Sequence, residues 1–129
     1  MKFKSLSETK YTWMMMIILS IIAILFKSFY RTYIYANHIN DFGIADSSPN
    51  FFAGLIIVFF YFTQYQNMSL RKYAIYSAIG LVGYELIQGT VFKHNYFDYK
   101  DIIASILGTY VGYLIGAKLK REPILDGQK

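Results

Sequence analysis

Four polar residues in the second half of this sequence have types and spacing that could do chemistry. Glu85 and Gln88 lie three residues apart, as do Asp98 and Asp101, and side chains at this spacing share one face of a helix. Glu85 interrupts an apolar stretch, where a carboxylate must be paired, protonated or buried in protein. Two carboxylates in one poorly solvated site are typical of proton or cation handling.

Each of these residues also has a structural explanation. Glu85 can act as a polar clamp between two helices, and Asp98 and Asp101 can cap a helix N-terminus, where backbone N–H groups and the helix dipole favour carboxylates. A shared site is favoured because Glu85 and Asp101 are predicted to lie at the same depth in the membrane. Asp46 and Asn50, four residues apart, belong to the same level.

Two basic residues, Lys27 and Arg31, lie four residues apart at the end of the first apolar stretch. They can balance the carboxylates, or they can extend outward to solvent along their flexible stems. The sequence leaves both alternatives open.

Composition excludes several kinds of active site. The chain contains no Cys, which excludes disulfides, thiolate nucleophiles and Cys-ligated metals. Its two His residues, His38 and His94, lack the spacing of a metal site. We therefore predict neither a metal nor another cofactor.

The same composition indicates a membrane protein. Of the 129 residues, 55% are hydrophobic and 16% are charged, whereas soluble domains carry about 25% charged residues. The Lys and Arg residues lie at the edges of apolar stretches rather than along a soluble face, so we predict membrane lipids as partners and no nucleic acid.

Four apolar stretches predict the elements that position these side chains. The predicted spans lie near residues 13–33, 50–65, 73–92 and 101–118. A membrane crossing needs roughly 20 residues, and Phe51–Phe62 lacks the polar stripe of a soluble helix. Short connections favour antiparallel neighbours, with the turn-rich segment Tyr35–Asn50 as one link. We predict an all-α integral membrane protein, a four-helix bundle with one domain over residues 1–129.

The distribution of basic residues predicts orientation. The side that holds both termini carries nine of the 13 Lys and Arg residues: Lys2, Lys4, Lys10, Arg71, Lys72, Lys118, Lys120, Arg121 and Lys129. The opposite side carries Lys27, Arg31, Lys93 and Lys100. Because Lys and Arg accumulate in cytoplasmic loops, we predict a multi-pass protein of the bacterial cytoplasmic membrane with both termini in the cytoplasm.

The last predicted span carries a stripe of small residues at four-residue spacing. The stripe consists of Ala104, Gly108, Gly112 and Gly116. Small residues allow the backbones of two membrane helices to approach closely. We expect the stripe to pack against a helix of the same chain, and a homo-oligomer remains the alternative.

Taken together, these motifs resemble those of the VanZ-like family of membrane proteins. The motifs are Glu85-x-x-Gln88, Asp98-x-x-Asp101 and Gly108-x-x-x-Gly112, preceded by Asp46-x-x-x-Asn50. The family pattern reads roughly D-x-x-x-H, then E-x-x-Q, a basic residue, and D-x-x-D-x-x-x-N-x-x-G-x-x-x-G. The similarity extends from Asp46 to Gly116 and implies a divergent member.

Three positions depart from the family pattern. Asn50 stands where the family often has His, Asn95 where it often has Arg, and Ser105 where it often has Asn. The neighbouring Lys93 and His94 are the residues here that could supply a cation and an imidazole.

The resemblance implies a role at the cell envelope, since the namesake of the family is associated with tolerance to glycopeptide antibiotics of the teicoplanin type. We expect binding or modification of envelope lipids or lipid-linked precursors at the outer face of the membrane. One alternative is an intramembrane enzyme in which Glu85 and Asp101 share acid and base roles on a lipid head group. Without a nucleophile motif or metal set this is the weaker expectation. The other is a small accessory subunit or transporter component whose polar residues only pack helices.

Overall fold

The computed structural model describes residues 6–63, 67–91 and 98–120, and over these residues the chain is helical and contains no β-strand. The elements are α1 (Leu6–Leu25), a π-helical turn (Phe26–Tyr30), α2 (Arg31–Ala36), α3 (Ile44–Phe60), a 3-10 turn (Tyr61–Thr63), α4 (Leu70–Val91) and α5 (Tyr99–Lys120). The first three of these follow one another without a break and form one continuous helical segment. The fold class is therefore all-α, as predicted.

Three helical segments within the described ranges have the length and apolar composition needed to cross a membrane: Lys10–Ala36, Ile44–Thr63 and Tyr99–Lys120. They are consistent with the predicted membrane protein. α4 has 22 residues, about 33 Å at the helical rise. It falls outside this set of apolar segments, and its sequence contains the charged residues Arg71, Lys72 and Glu85.

The predicted link over residues 35–50 is wrong in its second half. α3 begins at Ile44, so that Asp46, Pro49 and Asn50 lie inside a helix. Pro49 has no N–H to donate to the carbonyl of Ala45 four residues earlier, which is why proline usually disfavours a helix interior.

A side chain satisfies the carbonyl that Pro49 leaves without its backbone donor. The Ser48 hydroxyl donates to the Ala45 carbonyl oxygen at 3.1 Å. At the start of the helix, the Asp41 carboxylate accepts hydrogen bonds from the N–H groups of Gly43 at 3.1 Å and Ala45 at 2.6 Å. The extra turn of α3 is thus stabilised by residues that are typical of loops.

The closest helix pair is α3 and α5, which run parallel. A Cβ atom at Gly108 of α5 would overlap the carbonyl group of Phe51 on α3, and one at Gly54 of α3 would lie 2.5 Å from the Ser105 carbonyl oxygen. Backbones this close require glycine on both helices. Ser105 is 1% exposed at this crossing, so its small side chain is suited to the contact.

The small-residue stripe of α5 lies inside the fold. Its members Ala104, Gly108, Gly112 and Gly116 are all buried. A Cβ atom at Gly112 would lie 3.1 Å from the Leu55 carbonyl oxygen of α3, and one at Gly116 would lie 3.1 Å from the Leu70 side chain of α4. Because the end of α5 meets the start of α4, these two helices are antiparallel.

The apolar core is formed chiefly by α3, α4 and α5, and α1 packs on one side of it. Val58 and Phe59 of α3 and Leu70 of α4 are almost fully buried there. α1 contacts α3 through half-buried side chains such as Leu19 and through an edge-on ring contact between Trp13 and Phe60. The rest of its apolar surface is exposed, as expected of a helix surrounded by lipid.

Candidate functional site

One end of the molecule collects most of the predicted site residues, and we call it the acidic end. Asp46 and Asn50 lie in the first two turns of α3, and Asp98 and Asp101 lie at the start of α5. Because α4 runs antiparallel to α5, its later turns, which carry Glu85, reach the same end.

Asp101 lies at the centre of this group. Its half-buried side chain accepts a hydrogen bond from the Asn50 side chain, and it lies within electrostatic range of the carboxylates of Asp46 and Asp98. The half-buried Glu85 carboxylate is also within electrostatic range of Asp101. The structure thus brings these five predicted residues together from three helices.

Asp46 is held by residues at the end of the first helical segment. The Tyr35 hydroxyl donates to the two oxygens of the Asp46 carboxylate, at 2.7 and 2.9 Å. The Arg31 Nε atom lies 3.1 Å from the same carboxylate, and its guanidinium lies 5.5 Å from the centre of the Tyr35 ring. We call these three residues the Arg31–Tyr35–Asp46 cluster; both charged side chains in it are about 45% exposed (44 and 46%).

Asp98 has a capping role in the structure. Its side-chain oxygen accepts a hydrogen bond from the Lys100 N–H at 2.9 Å, and its carbonyl accepts one from the Asp101 N–H at 3.1 Å. These contacts are those of a helix N-cap. Asp41 caps α3 in a comparable way.

Lys100 supplies a cation at the acidic end. Its side chain crosses the backbone of Gly43, where a Cβ atom would lie 2.9 Å from both the Cδ and the Nζ atoms of Lys100. Gly43 also has a positive φ of 84°, a conformation that glycine adopts without steric cost. Two constraints therefore favour glycine at this turn.

Once the capped and paired carboxylates are set aside, Glu85, Asp101 and Asn50 form the centre of the candidate site. Two carboxylates from adjacent helices, one of them with an amide donor, can share a proton or bind a cationic group. Gln88 lies one turn after Glu85 on α4 and is half-buried. Within the described ranges, no three His, Asp or Glu side chains come together as a group that could hold a metal ion.

Other predicted residues lie away from this centre or outside the described residues. Lys27 lies exposed in the π-helical turn, so that of the two basic residues considered for charge balance, Arg31 makes the ion pair. Lys93, His94 and Asn95 lie outside the described residues.

Tyr35 was missed as a member of the site. The signal was present in the sequence, because Tyr35 follows Arg31 by four residues and so lies on the same helical face. A tyrosine at the edge of an apolar stretch is more often a membrane-interface residue. Its role as a hydrogen-bond donor to Asp46 was therefore not predicted.

The opposite end of the molecule, which we call the basic end, carries Lys10, Arg71, Lys72, Lys118 and Lys120. Here the buried Tyr61 hydroxyl donates to the Met68 carbonyl oxygen at 2.8 Å and accepts from the Lys120 amine at 3.1 Å. This contact joins the end of α5 to the link between α3 and α4.

A shallow apolar groove of about 510 Å³ lies along α4, beside Ile57 of α3. Its lining residues are Ile57, Met68, Tyr73, Tyr76, Ser77, Gly80, Leu81 and Tyr84. One lining residue, Tyr84, directly precedes Glu85 in the chain.

Comparison of this chain with protein-family models, with curated proteins and with solved structures finds no match in any of the three.

Proposed function

We propose that this protein is a VanZ-like membrane protein that acts at the outer face of the bacterial cytoplasmic membrane, where it binds or modifies envelope lipids or lipid-linked precursors. The observation that supports this proposal is the convergence of Asp46, Asn50, Asp101 and Glu85 at one end of three packed helices. Asp46, Asp101 and Glu85 are among the residues that carry the resemblance to the family, and Asn50 stands where the family often has His.

The proposal includes four membrane crossings. α4 packs against α3 and α5, with its buried residues Leu70, Ala74 and Ser77 in its first half, and these two neighbouring helices are apolar enough to span. A helix of 22 residues placed beside them reaches from one face of the hydrocarbon layer to the other. The acidic end then lies outside, since the basic end carries most of the Lys and Arg residues.

Charge favours a ligand with a cationic or proton-donating group. Arg31 neutralises Asp46, and Asp98 is engaged as a helix cap, which leaves Glu85 and Asp101 as the carboxylates without either role, within electrostatic range of each other. An amine-bearing lipid head group would bring positive charge to two carboxylates that otherwise repel. Acid and base chemistry on such a head group is the enzymatic form of the same proposal.

A structural role is the second candidate function. The observation that favours it is that Asp41, Asp46 and Asp98 all have intramolecular partners. If Glu85 and Asp101 also serve only packing, the protein is a small accessory subunit or transporter component.

The experiment that separates these functions is a comparison of membrane lipids in cells with the gene, without it, and with the Glu85→Gln form. We expect the Glu85→Gln cells to match cells without the gene, although the variant protein is present at normal levels. Tyr84→Phe is the matched control, because Tyr84 is the preceding residue and is 62% exposed. A normal lipid profile in Glu85→Gln cells would contradict the lipid function.

A further inference from the structure

The π-helical turn Phe26–Tyr30 interrupts the first helical segment at the point where it approaches the acidic end. The Arg31 N–H donates to the Phe26 carbonyl oxygen five residues earlier, whereas an α-helix bonds four residues back. The Phe26 and Tyr30 rings stack with their centroids 4.4 Å apart. Single π-helical turns of this kind accommodate one extra residue within an α-helix and are frequent at functional sites.

The spacing of buried positions changes at this turn. Leu19, Ala23 and Phe26 face the fold at steps of four and three, whereas Phe26, Tyr30 and Ile34 follow at two steps of four. On a regular α-helix two steps of four rotate the face by about 80°. The wider π-helical turn takes up this excess, so that Ile34 is buried at 8% exposure.

The same adjustment sets the direction of the polar residues that follow. Phe26, the first residue of the turn, contacts the Phe52 ring of α3, with centroids 6.0 Å apart, which fixes the start of the turn. After the turn, Arg31 and Tyr35 meet Asp46 of α3. Without the turn, a regular helix of the same sequence would rotate these two side chains by about 100°, away from Asp46.

We propose that the π-helical turn is a one-residue register adjustment that positions Arg31 and Tyr35 on Asp46 and so fixes the first turns of α3, which carry Asn50, beside Asp101. Arg31 and Tyr35 are then positioning residues for the candidate site. The adjustment is a property of the fold and holds whichever ligand the acidic end binds.

We expect the first helical segment to tolerate the deletion of one residue at the turn but not the insertion of one. Deletion of Ser28 from the turn removes the extra residue, so the segment can become a regular α-helix while Arg31 and Tyr35 keep their direction. Insertion of Ala between Tyr30 and Arg31 adds a residue that the turn has not absorbed, so the two side chains should rotate away.

Cross-linking tests this expectation directly, since the chain has no Cys. The pair Tyr35→Cys and Asp46→Cys would be treated in membrane vesicles with a short bis-maleimide, and cross-linked chains would be counted by intact mass. Tyr33→Cys with Asp46→Cys is the control pair, because Tyr33 lies about 200° around the helix from Tyr35. We expect high yield for the first pair and several-fold lower yield for the control.

In the chain without Ser28 the Tyr35–Asp46 pair should cross-link as in the full chain. With Ala inserted, the yield should fall several-fold. Loss of the cross-link, or loss of the folded protein, in the Ser28-deleted chain would overturn the proposal, as would a full yield in the folded Ala-inserted chain. If the inserted chain does not fold, the deletion decides the question alone.

Discussion

The carboxylates at the acidic end differ in what surrounds them. Asp41 and Asp98 accept backbone N–H groups, and Asp46 accepts the Tyr35 hydroxyl beside Arg31. Asp101 has the Asn50 amide together with three carboxylates in electrostatic range, one of which is Glu85. At the scale of single residues, Glu85 and Asp101 are therefore carboxylates with neither a helix-capping role nor an ion pair among the described contacts, and the charge of Asp101 repels that of Glu85.

This repulsion predicts non-additive effects of neutralising the pair. Glu85→Gln should raise the free energy of unfolding in the full chain by roughly 0.5–1 kcal/mol, and by much less when Asp101→Asn is already present. Thermal unfolding of the two single variants and the double variant in detergent measures this coupling. Additive effects would show that the two carboxylates do not interact.

A second residue, Tyr61, joins elements at the basic end. Its buried hydroxyl bonds the Met68 carbonyl and receives the Lys120 amine. Tyr61→Phe should lower the free energy of unfolding by about 1 kcal/mol, the usual net contribution of a hydrogen bond. Thr63→Ala, which removes a local hydroxyl bond to the Phe60 carbonyl, is the control and should cost less.

Among the helices, glycines have two different roles. Gly54 and Gly108 permit the contact between α3 and α5, where added Cβ atoms would meet backbone atoms of the partner helix. A Cβ atom at Gly80 or Gly83 of α4 would find no atom within 4 Å outside its own helical turn. Glycine therefore lies at a close helix contact at Gly54 and Gly108, but faces open space at Gly80 and Gly83.

This contrast predicts opposite effects of the same substitution. Gly108→Ala should lower the free energy of unfolding by about 3 kcal/mol, because backbone must move to admit the methyl group. Gly80→Ala should raise it by roughly 0.5–1 kcal/mol, because alanine favours the helix. Unfolding in one detergent measures both, and an equal response of the two variants would mean that α5 does not pack on α3 in this way.

Sequence patterns predicted the helices better than their ends. Long apolar stretches indicate helices reliably because only a helix satisfies its own backbone in lipid. The start of α3 was missed because Asp46 and Pro49 are typical of loops, and only the Ser48 and Asp41 hydrogen bonds make them helical. The π-helical turn lies between the contacts of Phe26 with Phe52 and of Tyr35 with Asp46, and such long-range contacts cannot be read from one sequence.

At the scale of the whole molecule, the charged residues are divided between the two ends of the helices, with the acidic end on one side and the basic end on the other. Helices α3 and α5 start at the acidic end and run in parallel. Helix α4 runs in the opposite direction, from the basic end to the acidic end. The ion pair of Arg31 with Asp46 joins the first segment to α3 at this end, and the contact of Lys120 with Tyr61 closes the other. If α4 also crosses the membrane, as we propose, the four crossings place both termini on the same side.

The orientation is tested by reporter fusions. Fusions at Lys129 and within residues 66–72 should report cytoplasm, and a fusion at Asn40, in the turn between α2 and α3, should report the outside, because Lys and Arg are retained on the cytoplasmic side. Replacing Lys118 and Lys120 by Gln removes positive charge from the last turn of α5 while leaving Arg71 and Lys72 in place. We expect the orientation to persist in that variant. A cytoplasmic signal at Asn40 with an external one at Lys129 would move the Glu85–Asp101 pair to the inner face and exclude a role on outer-leaflet lipids.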